Sequence, residues 1–115
     1  MMIAGSFCDP YRHLTPHPNI VQVLGFTLNE EHPSIVMEYC AGGSLASQIK
    51  DPRYSFPITR VVRILFGVAR GMLHLHKSNI VHRDLAARNV LLTKDGEPKL
   101  SVSGDEFIVC YDGLG

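Results

Sequence analysis

Asp84 and Asn89 stand five residues apart in the run His82-Arg83-Asp84-Leu85-Ala86-Ala87-Arg88-Asn89. A carboxylate placed there can accept the proton of a hydroxyl, and an amide oxygen can serve a hard cation such as magnesium. The same two residue types also suit a polar turn in which they bond their own backbone. No comparable set exists elsewhere. His13, His17, His32, His74 and His76 lack metal-type spacing, and His74 and His76, two apart on a helix, face different ways. Cys8, Cys40 and Cys110 are odd in number and have no framework spacing.

The surrounding elements must hold this run in place. Residues 21–27 and 35–40 are short β-rich stretches joined by a polar loop at 28–33, which reads as a hairpin. Gly42-Gly43 breaks the second strand, and Ser44 is placed to cap a short helix that ends before Asp51-Pro52. Pro57, favourable in a first turn, opens a long helix to Lys77. Arg60, Arg63, Gly67, Arg70, His74 and Lys77 follow steps of three and four, which predicts one solvated stripe. Nearly everything else on that helix is apolar, so it expects burial on most sides. Two hairpins and a small helix are too little to cover it. Past the Asp84 run, residues 90–93 and 98–100 flank Lys94-Asp95-Gly96-Glu97, a turn between two short strands.

The run also fits H-R-D-L-x-x-x-N, the loop from which protein kinases present a base and a magnesium ligand. Its flanks resemble the same family in the same order. His17-Pro18-Asn19-Ile20-Val21 resembles the turn into the fourth strand of the small lobe. Ile35-Val36-Met37-Glu38-Tyr39-Cys40-Ala41-Gly42-Gly43-Ser44-Leu45 resembles the strand, hinge and helix that hold adenine. Gly71 to Val81 resembles the helix end and strand before the catalytic loop. Asn89-Val90-Leu91-Leu92 and Lys99-Leu100-Ser101 resemble the strands that lead to D-F-G.

The resemblance to a protein kinase of tyrosine-kinase or tyrosine-kinase-like type implies an α+β fold, a partial kinase domain with two small β-hairpins around a long helix. It divides the chain into a divergent segment 1–16, a partial kinase domain 17–101 and an unrelated tail 102–115.

The family's roles then fall on matching positions. Asp84 is the expected catalytic base, with Arg88 beside it in the catalytic loop, and Asn89 is a magnesium ligand. Glu38 and Cys40 offer hinge main-chain groups to the adenine of ATP, so their side chains are expected to matter little, and Leu91 lies beneath the ring. Met37 guards the pocket behind the adenine. His82 is a core residue bonded to backbone, and Arg83 matches the arginine that pairs with a phosphorylated loop. ATP and Mg²⁺ are the implied cofactors, and a protein hydroxyl is the implied acceptor, serine/threonine or tyrosine.

Several parts of the family pattern do not occur in these 115 residues. No G-x-G-x-x-G precedes the first strand, and no lysine precedes Lys50. The helix glutamate should fall near Phe7 or Cys8, where the nearest acid is Asp9, followed by Pro10. Val102-Ser103-Gly104 stands where D-F-G belongs, and Asp105 comes three residues late. The chain is therefore expected to be inactive. The alternatives are an interaction fragment that binds a full-length kinase relative without catalysis, or a truncated product. Val-Ser can be encoded by GTGAGT, a favoured splice donor, so the tail is expected to be translated from unspliced sequence.

Composition agrees with a protein partner and with no nucleic acid. Eleven basic and eleven acidic residues cancel, so no bulk charge favours polyanions. No apolar run approaches the roughly 18 residues of a membrane span, and residues 1–10 do not read as a signal peptide. A cytoplasmic location is expected.

Overall fold

The computed structural model describes residues 15–26, 31, 35–82, 84–101 and 109–110. The expected first hairpin forms from β1 (Val23–Phe26) and β2 (Ile35–Met37), antiparallel with Phe26 opposite Ile35 and Val23 opposite Met37. The register shifts between Val23 and Gly25.

Gly43 has φ +74°, a conformation that side chains rarely tolerate. With Ser44 it forms β3 (Gly43–Ser44), a short strand that sequence patterning does not show. Ser44 then caps α1 (Leu45–Lys50), its hydroxyl accepting the Ser47 N–H at 3.0 Å. Gln48 on this helix is buried and donates to the Gly42 carbonyl at 2.9 Å. Arg60 reaches back to the Gln48 amide oxygen and lies 4.3 Å over the Phe56 ring, so the α1 connection is tied to the helix that follows.

That helix, α2 (Ile58–Lys77), starts after Pro57 as the sequence predicts. It stops where Asn79 adopts φ 62°, the left-handed turn that frees the chain from the helix. Ile64, Gly67, Gly71 and Leu75 form its buried stripe, in steps of three and four. Gly67 therefore belongs to the core and not to the solvated stripe expected for it. The reason is steric: a Cβ at Gly67 would sit 2.5 Å from the Pro98 ring, and one at Gly71 would sit 2.7 Å from the Asn19 carbonyl. The two glycines let a strand and a turn pack directly on the helix backbone.

β4 (Ile80–Val81) follows, then a 3₁₀ turn (Ala87–Asn89), β5 (Val90–Leu92) and β6 (Pro98–Leu100). β5 lies between β3 and β6 in a three-stranded antiparallel sheet, and Gly96 at φ +87° makes the expected turn. β7 (Val109–Cys110) pairs antiparallel with β4. Asn19 links the first segment to this sheet. It accepts the Leu100 N–H at 2.8 Å and donates its side-chain amide to the Pro98 carbonyl at 2.9 Å.

The core gathers Ile20, Leu75, Ile80, Val90 and Leu100, with Leu45, Val68 and Met72 against it. Leu75 is fully enclosed, and its truncation to alanine would cost about 2–5 kcal/mol. Much of the remaining apolar surface of α2 is bare: Leu65 and Phe66 are 61% and 62% exposed, and Ile58, Val62 and Leu73 are also exposed. The architecture is α+β, small antiparallel sheets around one long helix, as the resemblance implies.

Candidate active site

β4 delivers the chain into residues 82–86, and the 3₁₀ turn returns it to β5. Two anchors fix this loop to the core. His82 is buried, and its Nε2–H donates to the Ser101 carbonyl at 2.7 Å. Its Nδ1 accepts the Asp84 N–H at 3.2 Å. A carbonyl on one nitrogen and an amide donor on the other require the neutral ring protonated at Nε2. Both nitrogens are occupied, so His82 positions the loop and has no free nitrogen for proton shuttling. The second anchor is the Ser101 N–H, which donates to the Asn89 carbonyl at 2.8 Å.

Asp84, Arg88 and Asn89 meet on this frame. Arg88 Nη2 donates to Asp84 Oδ1 at 2.6 Å, an i,i+4 ion pair whose arginine is mostly in solvent. Such a pair contributes only about 0.3–0.5 kcal/mol. Asn89 is buried, and its Nδ2 donates to Asp84 Oδ2 at 2.9 Å and to the Asp84 carbonyl at 2.8 Å. Both partners of that atom are acceptors, so it must be the NH₂ group, and the Asn89 amide oxygen is the atom left for a cation. Asp84 is half-buried. Arg83, Val102 and Asp105 lie outside the described residues.

The expected hinge residues form a second group. The Glu38 N–H donates to the Gln22 carbonyl at 3.0 Å. The Gln22 N–H donates instead to the Glu38 side chain, Oε1, at 2.8 Å. Lys99 Nζ from β6 lies 3.1 Å from the same oxygen. Cys40 is buried, its carbonyl accepts the Gly43 N–H at 3.1 Å, and burial, then the Glu38 charge, push its thiol pKa up. Leu91 is half-buried on β5, paired with Ser44 on one side and Lys99 on the other. Lys99 thus joins the hinge to the sheet that carries Leu91. Among the described residues, no hydrogen bond connects the hinge group with the Asp84 group.

Sequence reasoning missed Gln22 and Lys99. Strand alternation places Lys99 opposite Leu91, but nothing in the sequence says that its amine reaches Glu38.

The fit of the implied cofactors differs. The Glu38 carbonyl has no donor among the described residues, which suits an adenine amine. Magnesium finds less, because no group of three or more His, Cys, Asp or Glu among the described residues could hold a metal ion. Asn89 contributes one neutral oxygen, which does not complete a site.

The sequence pattern of a family described as protein tyrosine and serine/threonine kinase matches residues 10–104. The cytokinesis protein sepH of Emericella nidulans is 42% identical over 88 residues, 76% of this chain and 6% of that protein. MAP3K epsilon protein kinase 1 of Arabidopsis thaliana is 38% identical over 89 residues, again 76% of this chain and 6% of that protein. Serine/threonine-protein kinase dst4 of Dictyostelium discoideum is 35% identical over 97 residues, 84% of this chain and 20% of that protein. The chain thus spans only a small part of the curated relatives it matches.

Proposed function

Because this chain belongs to the protein tyrosine and serine/threonine kinase family, we propose that it retains an adenine-binding hinge and a catalytic loop but transfers phosphate at no more than background rate. The observation that carries the first half is the Glu38 carbonyl, left without a donor among the described residues. Glu38 and Cys40 meet the adenine edge through main-chain groups, and Leu91 lies against the ring. Asp84 accepts the proton of a protein hydroxyl in the family reaction, with Arg88 holding its carboxylate and Asn89 offering an oxygen to Mg²⁺. ATP is the phosphoryl donor in that reaction. Relatives named as serine/threonine kinases favour serine or threonine as the family acceptor here.

The second half rests on sequence. Val102 has no oxygen ligand at the metal-aspartate position. Phosphoryl transfer depends on positioning and charge neutralisation, so this loss acts on the reaction itself. The domain division 17–101, with residues 102–115 as a separate tail, belongs to the same reading, as does a cytoplasmic setting. No helix among the described residues is long and apolar enough to cross a membrane.

A specific observation favours a second role. The bare face of α2 suits binding to another protein, and a full-length kinase relative is the proposed partner.

Titration with ATP and ADP, with and without Mg²⁺, tests the nucleotide reading. Weak binding, alike for both nucleotides and indifferent to the metal, is expected. Micromolar ATP affinity that requires Mg²⁺ would overturn it.

A further inference from the structure

We propose that Lys99 and the Glu38 carboxylate act together to keep the Glu38 main-chain carbonyl open, and so select purines that carry a 6-amino group. The inference rests on the nucleotide-binding reading above. Two residues facing each other in a hydrogen-bonded antiparallel pair normally exchange both N–H···O=C bonds. Gln22 and Glu38 exchange only one, from the Glu38 N–H at 3.0 Å. The other donor, the Gln22 N–H, is taken at 2.8 Å by Glu38 Oε1. The side chain thereby stands in for its own carbonyl.

Lys99 holds that arrangement. Its Nζ lies 3.1 Å from Oε1, and the two side chains are 16% and 29% exposed. The pair is better shielded from water than an ordinary surface ion pair. With the amine removed, the carboxylate gains by turning to solvent, and the Gln22 N–H falls back on the Glu38 carbonyl. A carbonyl without a donor is costly when enclosed, and a ligand amine satisfies it. A 6-oxo group presents an acceptor to an acceptor, and an unsubstituted purine presents nothing. Lys99 is therefore a positioning residue for adenine, and the Glu38 side chain matters after all.

The test is competition of adenosine, purine riboside and inosine against a fluorescent ATP analogue bound to the full 115-residue chain. One net hydrogen bond corresponds to about a tenfold preference for adenosine over purine riboside. In Lys99→Ala that ratio should fall toward unity while purine riboside affinity stays unchanged, and Lys99→Arg should keep the ratio. Glu38→Ala should reach the same end from the other partner. A ratio that survives both alanine variants overturns the inference, as does a parallel loss of all nucleosides. Equal binding of adenosine and purine riboside by the wild type overturns this inference alone. Binding of no nucleoside by the wild type overturns the nucleotide site and this inference with it.

Discussion

Asn89 holds Asp84 by both ends: its side-chain NH₂ donates 2.9 Å to the Asp84 carboxylate and 2.8 Å to the Asp84 carbonyl. The expected base and the expected metal ligand are thus one hydrogen-bonded unit. Asn89→Leu removes both donors and leaves the Asp84 carbonyl and carboxylate short of partners. The loss should be about 1–3 kcal/mol, read as a lower urea midpoint, whereas Arg88→Ala should cost under about 1 kcal/mol because that pair is exposed. Equal losses from the two variants would contradict this ranking.

Gly71→Ala should destabilise although alanine is the better helix former. The helical gain is about 1 kcal/mol, but the new Cβ would meet the Asn19 backbone carbonyl at 2.7 Å. Overpacking of this kind typically costs about 1–3 kcal/mol, and backbone cannot swing aside as a side chain does. A urea midpoint equal to or above wild type would show that the turn at Asn19 can yield.

The His17 ring packs 4.8 Å from that of His74 and accepts the Asn19 N–H. Burial, then the charges of His74, Arg70 and Lys99, hold its pKa below the ordinary 6.5. A depressed folded value means that the unfolded chain takes up the proton first. Stability is thus fully present above pH 6.5 and declines as pH falls through the lower folded value. Urea midpoints at pH 7.5 and pH 5.5 should differ more in wild type than in His17→Asn, roughly the two sides of that window. Identical pH dependence in both proteins would exclude His17 as the cause.

The exposed apolar face of α2 should drive self-association, because a contiguous patch of Val62, Leu65, Phe66 and Leu73 faces solvent. Leu65→Glu with Phe66→Glu should shift size-exclusion elution toward monomer and reduce binding of a hydrophobic dye. A sharp thermal transition and a monomeric peak for the unaltered chain would contradict it.

The long helix, the Ser44 cap, the turn at Gly96 and both expected hairpins were legible because each has a local cause: period, cap chemistry or turn glycine. Gly67 was misplaced because helical spacing put it among charged residues, while its burial depends on Pro98 and Asn19, far away in sequence. β3 escaped notice because two residues carry no alternation, and its partner β5 lies beyond the long helix. Asp84, Arg88 and Asn89 could be named from a single run of eight residues. The Gln22–Glu38–Lys99 link could not, since it joins three segments whose proximity only the fold supplies. The pairing of Ile80 and Val81 with Cys110 and Val109 was likewise beyond the sequence pattern, which treats the tail as separate.

Phosphate transfer by the chain is the decisive measurement. The purified chain is incubated with radiolabelled ATP, Mg²⁺ and generic protein substrates, alongside Asp84→Asn as the contamination control and Val102→Asp as an attempted repair. One missing electrostatic group in an active site commonly costs about 100- to 1,000-fold in rate, and kinases turn over at roughly 1–100 per second. Equal background incorporation is expected in all three proteins, because an aspartate at 102 leaves the purified 115-residue chain with no lysine ahead of Lys50 to grip the phosphates. Incorporation by the unaltered chain that vanishes in Asp84→Asn would contradict it.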